Sequence, residues 1–205
     1  MFSAYVASIA GLLFLGFVFF AVGQAAVIRN GAQTAADAAA LAAAQDVRDQ
    51  LREGWLGVID DPAQWQGFVT GRAFVDPRVA CRRAEDLAAA NEAKVDGCLQ
   101  TGLGFRVTVH SLDAVGESIV PGVEGMQATA TATAVVEPRC QFAAPEPTEE
   151  PEQPPTPPVE EPEEEDPEPI PGLACDGEEL EIDPEDPVLP DAGDLFYVRL
   201  TGDDE

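Results

Sequence analysis

The sequence is poor in basic residues, with 11 Lys and Arg against 38 Asp and Glu. Nucleic-acid binding depends on Lys and Arg that neutralise phosphates, so this shortage argues against a nucleic-acid partner. The imbalance is uneven: residues 1–142 carry 15 acidic and 10 basic groups (net −5), whereas residues 143–205 carry 23 acidic groups and one basic group (net −22). Such a run of like charge is typical of a solvated, self-repelling extension.

The sequence also lacks the motifs of common enzymes. Its single histidine, His110, alternates with Arg106 and Thr108, and no nucleophile is placed beside it as a catalytic triad requires. It contains no P-loop and no dinucleotide-binding glycine fingerprint. The spacing of its Cys and His residues does not match a zinc site. We therefore predict a protein that is not an enzyme, with no catalytic residues, no metal, no cofactor and no small-molecule substrate.

Charge is absent from the N-terminal stretch between Phe2 and Ile28. A helix of this length rises about 40 Å, more than the ~30 Å hydrocarbon core of a bilayer. The apolar part of a signal peptide is usually about 7–15 residues long and follows a basic region, and neither property applies here. Residues 1–28 are therefore predicted to be a transmembrane helix.

Two features of the sequence disagree about the orientation of this helix. The positive-inside rule places Arg29, Arg48 and Arg52 in the cytoplasm. Four Cys residues without zinc spacing indicate an oxidising compartment outside the cytoplasm. We expect a single-pass protein of the cell membrane with its C-terminal part outside, and a short basic leader upstream of Met1 would remove the conflict.

An alanine-rich stretch follows the apolar run and is predicted to continue it as a juxtamembrane helix over residues 29–54, ending at Gly54. Small residues recur every four positions, which lets two helix backbones approach closely. The partner is either the domain of the same chain or another subunit. The residues expected to make these packing contacts are Gly31, Ala35, Ala39, Leu41 and Ala43.

Residues 55–142 combine helix and strand signals, which predicts a small α+β domain with an antiparallel sheet against the long helix. Asp61 and Pro62 indicate the start of one short helix, and a second is expected at about Arg78–Ala90. The stretches "LGFRVTVHSL" and "MQATATATAVVE" alternate as half-buried strands do. Trp65, Phe68 and Val69 are expected to form the buried face of the first short helix, and Val79, Leu87 and Ala90 are available for burial in the second. In the strands, one face is expected to carry Phe105, Val107 and Val109, and one face of the next strand Ala128, Ala130, Ala132 and Ala134.

The four cysteines permit three disulfide pairings. Cys81 and Cys98 can meet if the helix between them stops near Asn91 and a strand returns. This leaves Cys140 and Cys175 to close a loop, and free thiols are the alternative. Residues 143–172 are acidic and rich in Pro, and are expected to be disordered. Residues 173–205 are expected to dock back on the domain, with Leu195–Leu200 as an edge strand.

A membrane span followed by "AADAAALAAA" (Ala35–Ala44) resembles the N-terminal region of TadE/TadG-like proteins of the Flp (Tad) pilus and secretion machinery. The stretch Ala80–Val109 looks like the Cys-helix-Asn-turn-Cys-strand pattern of actinobacterial members. The resemblance implies a membrane-anchored, pilin-like accessory component that packs against other pilus or secretion-system subunits. The alternative is a generic cell-envelope adhesin or binding module with an acidic cell-wall spacer.

Overall fold

The computed structural model describes residues 2–114, 127–143, 169–182 and 189–202. Its first element is one unbroken helix, α1, from Phe2 to Leu56. Alanine favours helix and no proline interrupts the stretch, so the apolar and alanine-rich runs form one rod of about 80 Å. The helix was expected to end at Gly54. It continues past that residue, where a Cβ would collide with the ring of Phe68, so this glycine is required by packing.

Three shorter helices and several strands follow α1 in the described residues. The helices are α2 (Pro62–Val69), α3 (Pro77–Ala90) and α4 (Ala192–Leu195). The strands are β1 (Ala93–Thr101), β2 (Gly104–Ala114), β3 (Gln127–Pro138), β4 (Cys140–Phe142), β5 (Ile170–Cys175), β6 (Glu178–Ile182) and β7 (Phe196–Thr201). Together they give the α+β architecture that the sequence predicts.

These elements divide into two compact units that differ from the expected domains. One unit contains Met1–Val47, Asp76–Val135 and Val198–Glu205, and the other contains Arg48–Val75 and Val136–Tyr197. The stretch 55–142 is thus split: residues 76–135 belong to the first unit, and residues 55–75 and 136–142 belong to the second.

Other expected boundaries also shift. The acidic segment was expected to stay unordered through residue 172, but its last three residues begin β5. Residues 144–168 lie outside the described part of the chain, as does the expected loop at residues 116–125.

The first unit is built on an antiparallel sheet in the order β1-β2-β3-β7. Strand β7 lies at its edge, in the region expected to form an edge strand. Phe105 pairs with Ala134 and Val107 with Ala132, and all four side chains are buried on one face. On the other face, the hydroxyls of Thr108 and Thr131 lie 2.9 Å apart. The alternation of apolar and polar residues in β2 and β3 therefore separates a packed face from a polar face.

Helix α3 packs in the first unit through a face of alanines, and not through the larger apolar side chains that the sequence pattern indicates. Its buried side chains are Ala80, Ala84 and Ala88, at a spacing of four. Val79 and Leu87 are only half-buried and Ala90 is exposed, so the predicted burial of these three residues was wrong. Alanines let the helix backbone come close to its neighbours, which larger side chains would prevent.

A disulfide fixes α3 to the sheet. The helix ends at Ala90 with Asn91 as its C-cap, and β1 returns along it. This brings Cys81 and Cys98 together as a disulfide with a Cα–Cα distance of 5.9 Å. The pairing and the helix stop on which it depends both agree with the sequence prediction.

The second unit contains a small sheet in the order β4-β5-β6. Cys140 of β4 lies directly opposite Cys175 of β5, and the two form the second disulfide. Strands β5 and β6 are joined by Asp176 and Gly177, both with positive φ (50° and 88°). An Asp-Gly pair is a strong hairpin signal, and it could have predicted this turn.

Candidate membrane anchor and helix-packing face

Helix α1 has two parts with opposite environments. From Tyr5 to Val27 its large apolar side chains are exposed, from 45% at Val18 to 83% at Phe19. This is the one helix of the described residues that is long and apolar enough to cross a membrane. The exposed side chains of this segment include Tyr5, Val6, Ile9, Leu12, Leu13, Phe14, Leu15, Phe17, Phe20, Val22 and Val27.

The environment of α1 changes four residues beyond Ile28. Arg29 is exposed and is the first charged residue of the chain. Ala32 is only 1% exposed. If the apolar part lies in a bilayer, the buried part of the helix therefore begins about 6 Å further along, at the α-helical rise of 1.5 Å per residue. The membrane segment and the folded unit thus share one rod without a flexible linker.

The alanines beyond this point are covered by the chain itself. Two rows on α1 are buried, one running from Ala32 to Ala44 in steps of four and the other from Ala35 to Ala43. Both belong to the first unit, which also contains α3 and the four-stranded sheet. An alanine-lined interface buries little area per residue, but it lets backbones come close and gain dispersion contacts. These rows are therefore part of the core of the first unit.

The five predicted packing residues fall into two groups. Ala35, Ala39 and Ala43 are 0% exposed. Leu41 is half-buried, and Gly31 is exposed with nothing within 4 Å of the position a Cβ would take. Of the two partners that the sequence left open, the structure assigns the three alanines to packing within the chain. Only Gly31, and Leu41 in part, remain accessible to another subunit.

An aromatic cluster lies at the C-terminal end of α1, in the second unit. The rings of Trp55 and Trp65 meet edge to face with centroids 5.5 Å apart, and Trp65 lies 5.0 Å from Phe142. Both tryptophans are fully buried. The indole N–H of Trp65 donates to the carbonyls of Val58 and Ile59. The sequence predicted the burial of Trp65, but Trp55 lay beyond the expected helix end and was missed.

Arg139 links two segments of the second unit through an ion pair and a hydrogen bond. The Arg139 guanidinium donates to the Gly193 carbonyl at 3.0 Å and forms an ion pair with the Asp176 carboxylate. The hydrogen bond to the Asp176 carboxylate, together with its negative charge, raises the pKa of Arg139. Arg139 therefore connects the β5–β6 turn to α4, next to the Cys140–Cys175 disulfide.

Charge also stabilises the start of α3 in the first unit. The Asp76 side chain accepts a hydrogen bond from the Arg78 backbone N–H at 2.9 Å, which is an N-cap. It accepts another from the Arg78 guanidinium, and these bonds hold the pKa of the Asp76 carboxyl below its ordinary value. A capping residue at this position was not predicted, although Asp before Pro is a usual helix-start signal.

The single histidine of the chain lies beside a carboxylate. His110 Nδ1 lies 2.7 Å from a carboxylate oxygen of Asp96, on the polar face of the sheet. Among the described residues, no three His, Cys, Asp or Glu side chains are grouped as a metal site would require.

The fold and the anchor define a class of protein: an α+β unit carried on a single long helix whose N-terminal part is exposed and apolar. Residues 3–46 match the model of a family described as "Putative Flp pilus-assembly TadE/G-like". This match covers the apolar part of α1 and all of its buried alanines, and it supports the resemblance to TadE/TadG-like proteins. No curated protein and no solved structure matches the chain significantly.

Proposed function

We propose that this protein is a membrane-anchored, pilin-like accessory component of a Flp/Tad-type pilus assembly or secretion system. The family match relates the chain to Flp pilus assembly. One observation supports the more specific role of a membrane-anchored, pilin-like component. The apolar half of α1 is exposed, while the next four turns are buried in the first unit. A single rod thus couples the membrane segment to a folded unit, as a subunit delivered from a bilayer needs.

In this proposal the protein acts by packing its membrane helix against helices of other subunits and by presenting its folded units outside the membrane, without catalysis. Lipid surrounds the apolar segment before assembly, and helices of other subunits replace lipid when the pilus machinery assembles. Neighbouring helices would contact the exposed part of α1, up to and including Gly31, because Ala35, Ala39 and Ala43 are already covered. The two folded units, held by their disulfides, would lie outside the cytoplasm, where such bonds persist.

The experiment replaces residues 2–28 with an unrelated membrane helix of equal length and leaves residues 29–205 unchanged. The folded units keep their alanine rows, so both disulfides should still form. We expect the exchanged protein to reach the membrane but to lose co-purification with the other pilus components. Co-purification at the native level would contradict the proposal, since the anchor would then serve only as an attachment, as in an adhesin or binding module.

A fusion experiment tests the orientation. Alkaline phosphatase, which folds only outside the cytoplasm, is joined after residue 202, and green fluorescent protein is joined there in a matched fusion. We expect phosphatase activity from the first fusion. Fluorescence without phosphatase activity would place the folded units in the cytoplasm and contradict this part of the proposal.

A further inference from the structure

Among the described residues, the indole nitrogen of Trp55 is the one buried side-chain N or O atom that has no hydrogen-bond partner in the protein. Trp55 lies near the C-terminal end of α1 and is 0% exposed. Trp65, the other tryptophan of the chain, is equally buried, but its indole N–H has two acceptors, the carbonyls of Val58 and Ile59. The two indoles therefore lie in one cluster and differ in the pairing of a single N–H group.

An unpaired N–H group is unfavourable inside a folded protein. The indole N–H is a donor only, and it bonds to water when the chain is unfolded. Burying it without an acceptor costs its full desolvation penalty, which exceeds the net gain from a typical hydrogen bond. In native structures roughly 90% or more of buried polar groups have a partner, either in the protein or in ordered water. We therefore expect the Trp55 N–H to have an acceptor.

The aromatic neighbour of Trp55 is a weak substitute for an oxygen acceptor. The rings of Trp55 and Trp65 meet edge to face, with centroids 5.5 Å apart and an angle of 83° between their planes. An N–H group directed at a ring face gains only a second-order interaction. The contact with Trp65 thus holds the Trp55 ring in place, but it does not replace the hydrogen bond that the N–H group makes in water.

We propose that the Trp55 N–H donates to a single internal water molecule. A water supplies the acceptor that the indole needs, and its own two hydrogens need acceptors in turn. The carbonyls of Val58 and Ile59 meet this need, because each accepts one bond from Trp65, at 3.1 and 3.2 Å, and keeps a second lone pair. Internal waters occur about once per 27 residues and make about three hydrogen bonds each, as this one does.

This water connects the last turn of α1 to the segment that follows it. Val58 and Ile59 lie between the end of α1 at Leu56 and the start of α2 at Pro62. All of these residues belong to the second unit. The water site therefore stabilises the joint between two helices of that unit, and it does not depend on the proposed function.

The first test measures the transfer of magnetisation from water to the indole protons. The full chain is prepared in detergent micelles with ¹⁵N-labelled tryptophan, and its two tryptophans give two indole N–H signals. We expect transfer to the Trp55 proton with opposite signs in laboratory-frame and rotating-frame spectra, because a bound water acts through space and not by hydrogen exchange. Trp65 is the matched control, and its proton should show several-fold weaker transfer because carbonyls accept its bonds. Absence of transfer to the Trp55 proton would overturn the inference, and an upfield shift of that proton would then assign the Trp65 ring as its acceptor.

A second test distinguishes a hydrogen-bonded N–H from an unpaired one. A tryptophan isostere with sulfur in place of the indole N–H keeps the shape of the ring and removes the donor. At position 55 we expect this isostere to lower the equilibrium constant for folding about 2–10-fold, the size of one net hydrogen bond. The same isostere at position 65 is the control, and it should destabilise the protein at least as much, because the bonds to Val58 and Ile59 are lost. An unchanged or higher folding constant at position 55 would overturn the inference, since the N–H that was removed would have been unpaired.

Discussion

Substituting a buried alanine of α1 by leucine should destabilise the protein. Ala39 is 0% exposed, and it lies between Ala35 and Ala43 on a face that the first unit covers. Leucine adds three carbon atoms at this position. There is no free volume for them, because the backbone of α1 lies close enough to its neighbours for only an alanine side chain to fit between them. Overpacking of this kind costs about 1–3 kcal/mol. For a chain of this size, that loss lowers the melting temperature by about 2–12 °C.

The assay is thermal unfolding of the full chain in detergent micelles, followed by circular dichroism with the disulfides intact. Gln45→Leu is the matched control, because Gln45 is exposed on the same helix and leucine there meets only solvent. We expect the control to unfold within about 0.5 kcal/mol of the native protein. If Ala39→Leu and Gln45→Leu melt alike, the alanine rows are not packed within the chain, and contacts with other subunits become the better explanation of them.

Three further predictions concern the second unit, its disulfide and the start of α3. Gly54→Ala places a methyl group against the ring of Phe68 and should cost about 1–3 kcal/mol, measured by thermal unfolding. Removing the Cys140–Cys175 bond by a double Cys→Ser change opens a loop with a separation of 35 residues, and chain entropy predicts a loss of about 4 kcal/mol in denaturant unfolding. Asp76 has a lowered pKa, so its contribution to stability is present above the unfolded pKa and is lost as the pH falls through the folded value. Asp76→Asn should therefore weaken the loss of stability in acid, measured by unfolding across a pH series.

Each of these predictions has its own control. Gly67→Ala adds a methyl group to α2 where nothing lies within 4 Å, so it should not destabilise the protein as Gly54→Ala does. For the disulfide, the native chain in reductant should match the double Cys→Ser variant once the loss of Cys81–Cys98 is subtracted with its own variant. A stability profile in acid that is identical with and without the Asp76 carboxylate would contradict the assignment of its pKa to the Arg78 contacts.

Much of α1 and of its membrane segment follows from local properties of the sequence. The uncharged run from Phe2 to Ile28 and the alanine-rich stretch after it contain no proline, so the length of this helix needs no tertiary information. The alternation in β2 and β3 likewise depends on the period of a strand. The Cys81–Cys98 pairing follows from the reach of a helix and a returning strand once Asn91 ends the helix.

The tertiary structure decided which small residues are covered. Ala35 and Gly31 belong to the same four-residue spacing, yet one is fully buried and the other is exposed. On α3 the buried row is Ala80, Ala84 and Ala88, and the larger Val79 and Leu87 stay at its margin. The spacing of small residues along a helix shows which faces could pack against a neighbour. Which face does pack depends on the shape of that neighbour and on how closely the two backbones approach.

The division of the chain was also decided by tertiary contacts. Residues 55–142 are continuous in sequence, but α2 packs with the aromatic cluster of the second unit while α3 and β1 belong to the first. Such a division depends on segments that meet from distant parts of the chain, as β7 does at the edge of the four-stranded sheet. By itself the sequence determined the length of α1, the two faces of strands β2 and β3, and the possibility of the Cys81–Cys98 disulfide, because these depend on local geometry. The structure decided which side of each element is in the core, because that depends on what the rest of the chain brings against it.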